Sequence, residues 1–218
     1  ILLQGTDGTK IHAWHVRSPQ TAPLVIYFGG NAEEVSWMIE ATRDAPGAAW
    51  LLVNYRGYGA SEGSPSEKAL VADALTFYDH AAKLPGVDTK RIYAFGRSLG
   101  SGVAVALAAE RPLAGLILAT PFDSLVAVAK RYYWYLPVDW MLKHRFDSIA
   151  LAPTLKQPLL CLIAERDEVI PPVHGERLFE AWGGAKRKVV LQEAGHNSTD
   201  SHPMFWPSIR EFLMQKVS

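Results

Sequence analysis

The 218-residue sequence predicts one α/β domain spanning residues 1–218: an eight-stranded, mostly parallel sheet flanked by helices, with a small helical insertion after the sixth strand. Three observations lead there. Short apolar runs alternate with helical patterns along the chain, as parallel strands joined by helical crossovers require. From the third run onward the apolar segments are nearly continuous, which fits strands covered on both faces. The length also suits a single hydrophobic core, since cores stop growing beyond roughly 250 residues.

The first two strands, 2–4 and 11–16, flank Thr6-Asp7-Gly8-Thr9, a hairpin signal. Strands at 24–28 and 50–54 enclose an expected helix over 33–44, with Val35, Met38 and Ile39 on one face. Ser64-Pro65-Ser66-Glu67 reads as a capping box with Pro at the first helical position. Leu70, Ala74, Phe77, Tyr78 and Ala81 form the apolar stripe of the helix that follows. A strand at 92–95 runs into a helix that ends near Glu110, and another strand covers 113–119. Residues 120–157 then break the alternation. They carry Phe122, Tyr132, Tyr133, Trp134, Tyr135, Trp140 and Phe146, more aromatic surface than a plain crossover needs, so they are expected to form the insertion. Strands at 159–164 and 188–192 and helices near Pro172 and Pro203 complete the domain.

Composition narrows the function classes. Lys plus Arg and Asp plus Glu both number 22, so the formal net charge is zero, and a protein built on phosphate contacts normally shows a basic excess. No nucleic-acid partner is expected. Cys161 is the only cysteine, which excludes an internal disulfide and a zinc site with Cys-Cys spacing. No stretch approaches ~18 consecutive apolar residues, the length a membrane-spanning helix needs.

The chemistry-bearing motif is Gly96-Arg97-Ser98-Leu99-Gly100, a match to G-x-S-x-G. A second match, Gly59-Ala60-Ser61-Glu62-Gly63, makes context decisive. The motif works when a strand enters a sharp turn that leads directly into a helix, lifting the serine oxygen above the sheet. Ser98 has that setting, whereas Ser61 lies between two loop segments and reads as a turn. Ser98 is therefore the expected nucleophile.

A serine hydroxyl needs a base, and histidine is the usual one near neutral pH. Among seven histidines, His196 stands in the Gly-flanked loop after the last strand, at the sheet end where Ser98 sits; His202 is the fallback. The orienting acid should also follow a strand. Glu165, Asp167 and Glu168 compete after the seventh strand and Asp123 after the sixth, and spacing alone does not separate them. Two main-chain N–H groups should receive the charge that develops on a carbonyl oxygen. Leu99, after the nucleophile, is one candidate donor; Asn31, in the Gly29-Gly30-Asn31-Ala32 loop, is the other. That loop lacks the spacing and the following Lys-Ser/Thr of a phosphate-binding loop.

These residues resemble the α/β-hydrolases along essentially the whole chain. Tyr27-Phe28-Gly29-Gly30-Asn31-Ala32, Asn54-Tyr55-Arg56-Gly57-Tyr58-Gly59 and Arg166-Asp167-Glu168-Val169-Ile170-Pro171 are similar to the narrower ABHD-type serine hydrolases. The resemblance implies that Asp167 is the acid, in the family order Ser98, Asp167, His196. It implies hydrolysis of carboxylic esters or thioesters, a small-molecule or acylated substrate, and no metal or organic cofactor. Members of the group are often tethered by an N-terminal membrane segment. The first residue, Ile1, reads as the start of a trimmed piece, so such an anchor and membrane-surface association are expected, and a cytoplasmic location without them. In the group's pattern a His often stands where this chain has Gly29, so the oxyanion loop is expected to lose a brace. Tyr132, Tyr133, Trp134 and Trp140 are expected to roof an apolar acyl pocket. Two other readings compete. A peptidase of the prolyl-aminopeptidase or oligopeptidase type needs an acidic anchor, for which Asp139 and Asp147 qualify. A non-catalytic binding module on the same fold is the other.

Overall fold

The computed structural model describes residues 1–133, 135 and 143–215. Strands β1 (Leu2–Gln4), β2 (Lys10–Val16), β3 (Ala22–Phe28), β4 (Ala49–Val53), β5 (Val87–Arg97), β6 (Gly115–Ala119), β7 (Leu159–Ala164) and β8 (Lys186–Leu191) form one sheet, in the order β1-β2-β4-β3-β5-β6-β7-β8. β1 and β2 pair antiparallel across Gly8 (φ 84°), and β2 pairs antiparallel with β4; the remaining pairs are parallel. β3, β4, β6 and β7 are buried at every residue, as continuous apolar strands should be. β8 departs from that expectation. It is an edge strand with exposed Lys186 and Lys188, whose charges discourage a further strand from pairing there.

The described helices are α1 (Met38–Ala41), α2 (Glu67–Ala81), α3 (Leu99–Glu110), α4 (Leu125–Tyr132), α5 (Ser148–Leu151), α6 (Pro172–Ala181) and α7 (Phe205–Met214). Strand alternation splits the core into two layers. Leu24, Ile26 and Phe28 of β3 pack with Leu70 and Phe77 of α2, Val103 and Leu107 of α3 and Leu178 of α6. Val25 and Tyr27 face the other side, against Val35, Met38 and the α7 residues Phe205, Trp206, Ile209 and Phe212. Helices thus cover both faces of the sheet, and the C-terminal ends of its parallel strands are left open.

Two local expectations need correction. The 33–44 segment is not one helix. A 3₁₀ turn (Val35–Trp37), α1 and a second 3₁₀ turn (Thr42–Asp44) follow one another, because Glu34 caps Ser36 N–H and the Asn54 side chain takes Val35 N–H. The capping box at Ser64 also does not form. Ser66 is the α2 N-cap, its Oγ accepting Ala69 N–H, and Pro65 lies outside the helix. Glu67 instead accepts the N–H groups of Arg145 (2.7 Å) and Phe146 (3.1 Å), tying α2 to the insertion. The insertion's described part is helical: α4, capped by Ser124, then α5 and a 3₁₀ turn (Ala152–Thr154).

Candidate active site

β5 delivers Ser98 at the centre of the sheet, where Phe28 and Leu118 flank Gly96. Ser98 has φ 52° and ψ −119°, a conformation that L-residues hold only when their surroundings enforce it. The enforcement is visible. Ser98 N–H donates to Ala119 O (3.0 Å), and Ser98 O accepts both the N–H (2.9 Å) and the hydroxyl (2.7 Å) of Ser101. A side chain at Gly96 would strike the Gly100 backbone, and one at Gly100 would strike Phe28 O. The two glycines are thus steric requirements of the turn.

The loops after β7 and β8 bring two further residues to this point. His196 Nε2 lies 3.0 Å from Ser98 Oγ, and His196 Nδ1 lies 2.8 Å from Asp167 Oδ2 and 3.0 Å from Oδ1. Asp167 Oδ1 also accepts Val169 N–H (2.9 Å) and Ile170 N–H (2.7 Å), so the carboxylate is oriented by backbone before it meets the ring. Asp167 and His196 are both buried. The serine, the imidazole and the carboxylate form one hydrogen-bonded line.

The competing residues have other partners. Glu165 is exposed and accepts Glu193 N–H. Glu168 is exposed, with its carboxylate beside Gly195. Asp123 is buried but pairs with a different histidine, His174 (2.8 Å). His202 Nδ1 accepts Met204 N–H at the start of α7. Ser61 sits in a turn, where its Oγ accepts His12 N–H (2.8 Å) and donates to Asn54 O (2.9 Å).

A cavity of about 390 Å³ opens beside Ser98. Asn31 and Leu99 line it, and among the described residues no hydrogen bond engages the main-chain N–H of either. Its walls are mainly apolar: Tyr55, Leu70, Phe122, Leu125, Val128, Phe146 and Ile170. Of the four aromatics expected to roof it, the two that are described lie elsewhere. Tyr132 (46% exposed) and Tyr133 (51% exposed) do not line the cavity. Tyr132 shares its hydroxyl proton between Glu168 O and Val169 O, and Tyr133 lies beyond the end of α4. Leu125 and Val128, one helical turn apart on α4, supply the wall instead. Trp134, Trp140 and Asp139 lie outside the described residues.

The loop that carries Asn31 is braced by residues to which their motif assigned no role. Tyr55 donates to Gly29 O (2.9 Å), Tyr58 donates to Asn31 Oδ1 (3.1 Å), and Ala32 N–H donates to the Tyr58 hydroxyl (3.3 Å). Between the two tyrosines, Arg56 is buried and gripped twice. Asp73 takes its Nε and Nη2, each at 2.7 Å, and Asp7 takes its Nη1 at 2.5 Å. The Arg56 hydrogen bond holds the Asp7 carboxyl well below the usual carboxylate range. The missing brace at Gly29 is also made good, since the Glu33 carboxylate fills the space a Gly29 side chain would take. The signal was present as the repeated aromatics of Asn54-Tyr55-Arg56-Gly57-Tyr58, but nothing in their spacing shows what they hold.

Known proteins share the family and the fold. The family model described as Serine aminopeptidase, S33 (Hydrolase_4) matches residues 19–151. The uncharacterized protein Rv2307c of Mycobacterium tuberculosis is 34% identical over 221 residues, covering 99% of this chain and 79% of that one. The zebrafish (Danio rerio) lysophosphatidylserine lipase ABHD12 is 33% identical over 190 residues, 77% of this chain and 49% of its own length. Est1E from Butyrivibrio proteoclasticus, solved with ferulic acid bound, superposes with a TM-score of 0.81 at 17% identity, covering 98% of each chain, which bears on the fold alone. By its family match and by these relatives, the chain belongs to the Hydrolase_4 family of α/β-hydrolases.

Proposed function

We propose that this hydrolase cleaves carboxylic esters or thioesters through an acyl-enzyme formed on Ser98. The observation that carries the reading is the Ser98–His196–Asp167 line at 3.0 and 2.8 Å, on a strained turn at the mouth of an apolar cavity. In this reading Ser98 attacks the acyl carbon as His196 Nε2 takes its proton. Asp167 holds the ring through Nδ1–H and stabilises the imidazolium. The carbonyl oxygen gains charge and accepts from the Leu99 and Asn31 N–H groups. His196 returns the proton to the leaving alcohol or thiol. Water then attacks the acyl-enzyme, with His196 again as base, and frees Ser98. The apolar walls suit an acyl chain, and the lipase relative ABHD12 points to the same bond class.

The family description favours a second reading, a peptidase that holds a free amino terminus. That reading needs an unengaged carboxylate in the cavity. Among the described lining residues the carboxylate is Glu67, whose oxygens already accept Arg145 and Phe146 N–H. Asp147 lies along a separate small pocket with Lys130 and Arg145. The test is labelling by a fluorophosphonate probe, with p-nitrophenyl esters and aminoacyl anilides assayed in parallel. Labelling that disappears in Ser98→Ala, with ester turnover exceeding anilide turnover, is expected. An unlabelled, inactive wild type would favour a binding module instead.

A further inference from the structure

We propose that Glu33, held by Arg97, is a positioning residue that fixes the oxyanion loop; the inference rests on the serine-hydrolase reading and adds a residue to it. The Glu33 carboxylate is largely buried and every described neighbour that meets it is a donor. Tyr27 Oη donates to Oε1 at 2.7 Å and Trp37 Nε1 to the same oxygen at 3.0 Å. Gly30 N–H donates to Oε2 at 2.6 Å, and Arg97 Nη1 lies 3.5 Å from that oxygen. Only an ionised carboxylate accepts from all four without an opposed pair of donors. Burial, and then the Glu33 charge, hold the Tyr27 phenol well above its usual range, so Tyr27 remains a donor at any working pH.

The bond to Gly30 matters because of the peptide it fixes. One peptide unit joins Gly29 C=O to Gly30 N–H, and both its edges are occupied: Tyr55 donates to the carbonyl and the N–H donates to Glu33. Glycine offers no side-chain resistance to rotation of this peptide, so those two bonds set its plane. The next N–H along the chain is that of Asn31, which lines the cavity and meets no acceptor among the described residues. Preorganised donors stabilise a developing oxyanion because they need no reorientation as charge forms. Glu33 therefore acts on Asn31 through the Gly29–Gly30 peptide.

Arg97 extends the brace to the other side of the site. It occupies the variable position just before Ser98 and lies over the Trp37 ring at 5.8 Å. Its Nη2 contacts Asn197 Oδ1 at 3.5 Å, next to His196. One guanidinium thus spans the oxyanion loop, the nucleophile turn and the histidine loop.

The experiment compares wild type, Glu33→Gln and Arg97→Met. Glu33→Gln keeps the volume and one acceptor but places an amide donor against donors. We expect its kcat on a p-nitrophenyl ester to fall about ten- to a hundred-fold with KM within about three-fold, and fluorophosphonate labelling to slow in proportion. Hydrogen exchange of the Gly30 amide, which Glu33 holds, should quicken. Arg97→Met should show the same split at about three- to ten-fold, and it carries the test if Glu33→Gln does not fold. Unchanged kcat, a loss confined to KM, or unchanged exchange overturns the proposal. If wild type neither hydrolyses nor labels, the serine-hydrolase reading fails. Exchange then decides the Glu33 brace alone: faster in Glu33→Gln supports it, unchanged overturns it.

Discussion

Two buried aspartate–histidine pairs lie side by side at the ends of β7 and β6, and they differ in what faces the second ring nitrogen. In both, Nδ1 meets a carboxylate oxygen at 2.8 Å. In both, that carboxylate also accepts backbone N–H: Val169 and Ile170 on Asp167, Ser124 on Asp123. His196 then presents Nε2 to Ser98 Oγ at 3.0 Å, whereas His174 Nε2 is buried with no hydrogen-bond partner among the described residues. Arg177 stands 3.6 Å from Asp123, and Ile149 N–H donates to Asp123 O, so the second pair joins α6 to both arms of the insertion. A buried Asp–His pair is therefore not a base by itself. It acts as one when its outer nitrogen reaches a proton worth moving; otherwise it is a tie between elements.

The contrast breaks most sharply at the proton acceptor. Ser98→Ala and His196→Ala should each lower kcat on an activated ester by about 10⁴- to 10⁶-fold, measured by steady-state hydrolysis. Residual activity near wild type in either would remove the difference between the pairs. Asp167→Asn keeps the shape but offers a donor where Nδ1–H needs an acceptor, and should cost about 10⁴-fold in kcat with little change in folding. Asp123→Ala should do the reverse. It leaves His174 and Arg177 without their buried anion, so denaturant unfolding should show a loss of about 3 kcal/mol while kcat stays within a few-fold. A thousand-fold loss of kcat there, with stability intact, would make the second pair part of the chemistry. The smallest effect is expected at the other G-x-S-x-G match: Ser61→Ala should leave the rate unchanged and lower stability by about 1 kcal/mol, since its hydroxyl holds His12 N–H and Asn54 O in a turn.

Periodicity made the sheet legible because buried parallel strands must be apolar throughout, and β3, β4, β6 and β7 are. It misread the 33–44 segment, whose apolar spacing suits a helix but whose first two glutamates bond elsewhere, Glu33 to Gly30 N–H and Glu34 to Ser36 and Asn54. Tyr132 and Tyr133 of the insertion were misread for a related reason. Composition registers Tyr132 and Tyr133 as apolar surface in need of burial, yet a tyrosine hydroxyl can satisfy itself on exposed carbonyls, as Tyr132 does.

By itself the sequence determined the order of strands and helices and the glycine-flanked turn at Ser98, since hydrophobic spacing and steric need are written locally. It also placed Asp167 and His196 after strands, where the open end of a parallel sheet collects side chains. It did not decide which aspartate serves which histidine, because Asp123 and Asp167 have equivalent positions along the chain and differ only in what the folded loops put opposite them. Nor did it show that Glu33, Tyr55, Tyr58 and Arg97 converge on one loop. Such contacts join residues up to 64 positions apart, and only the tertiary structure brings their donors to the same few atoms.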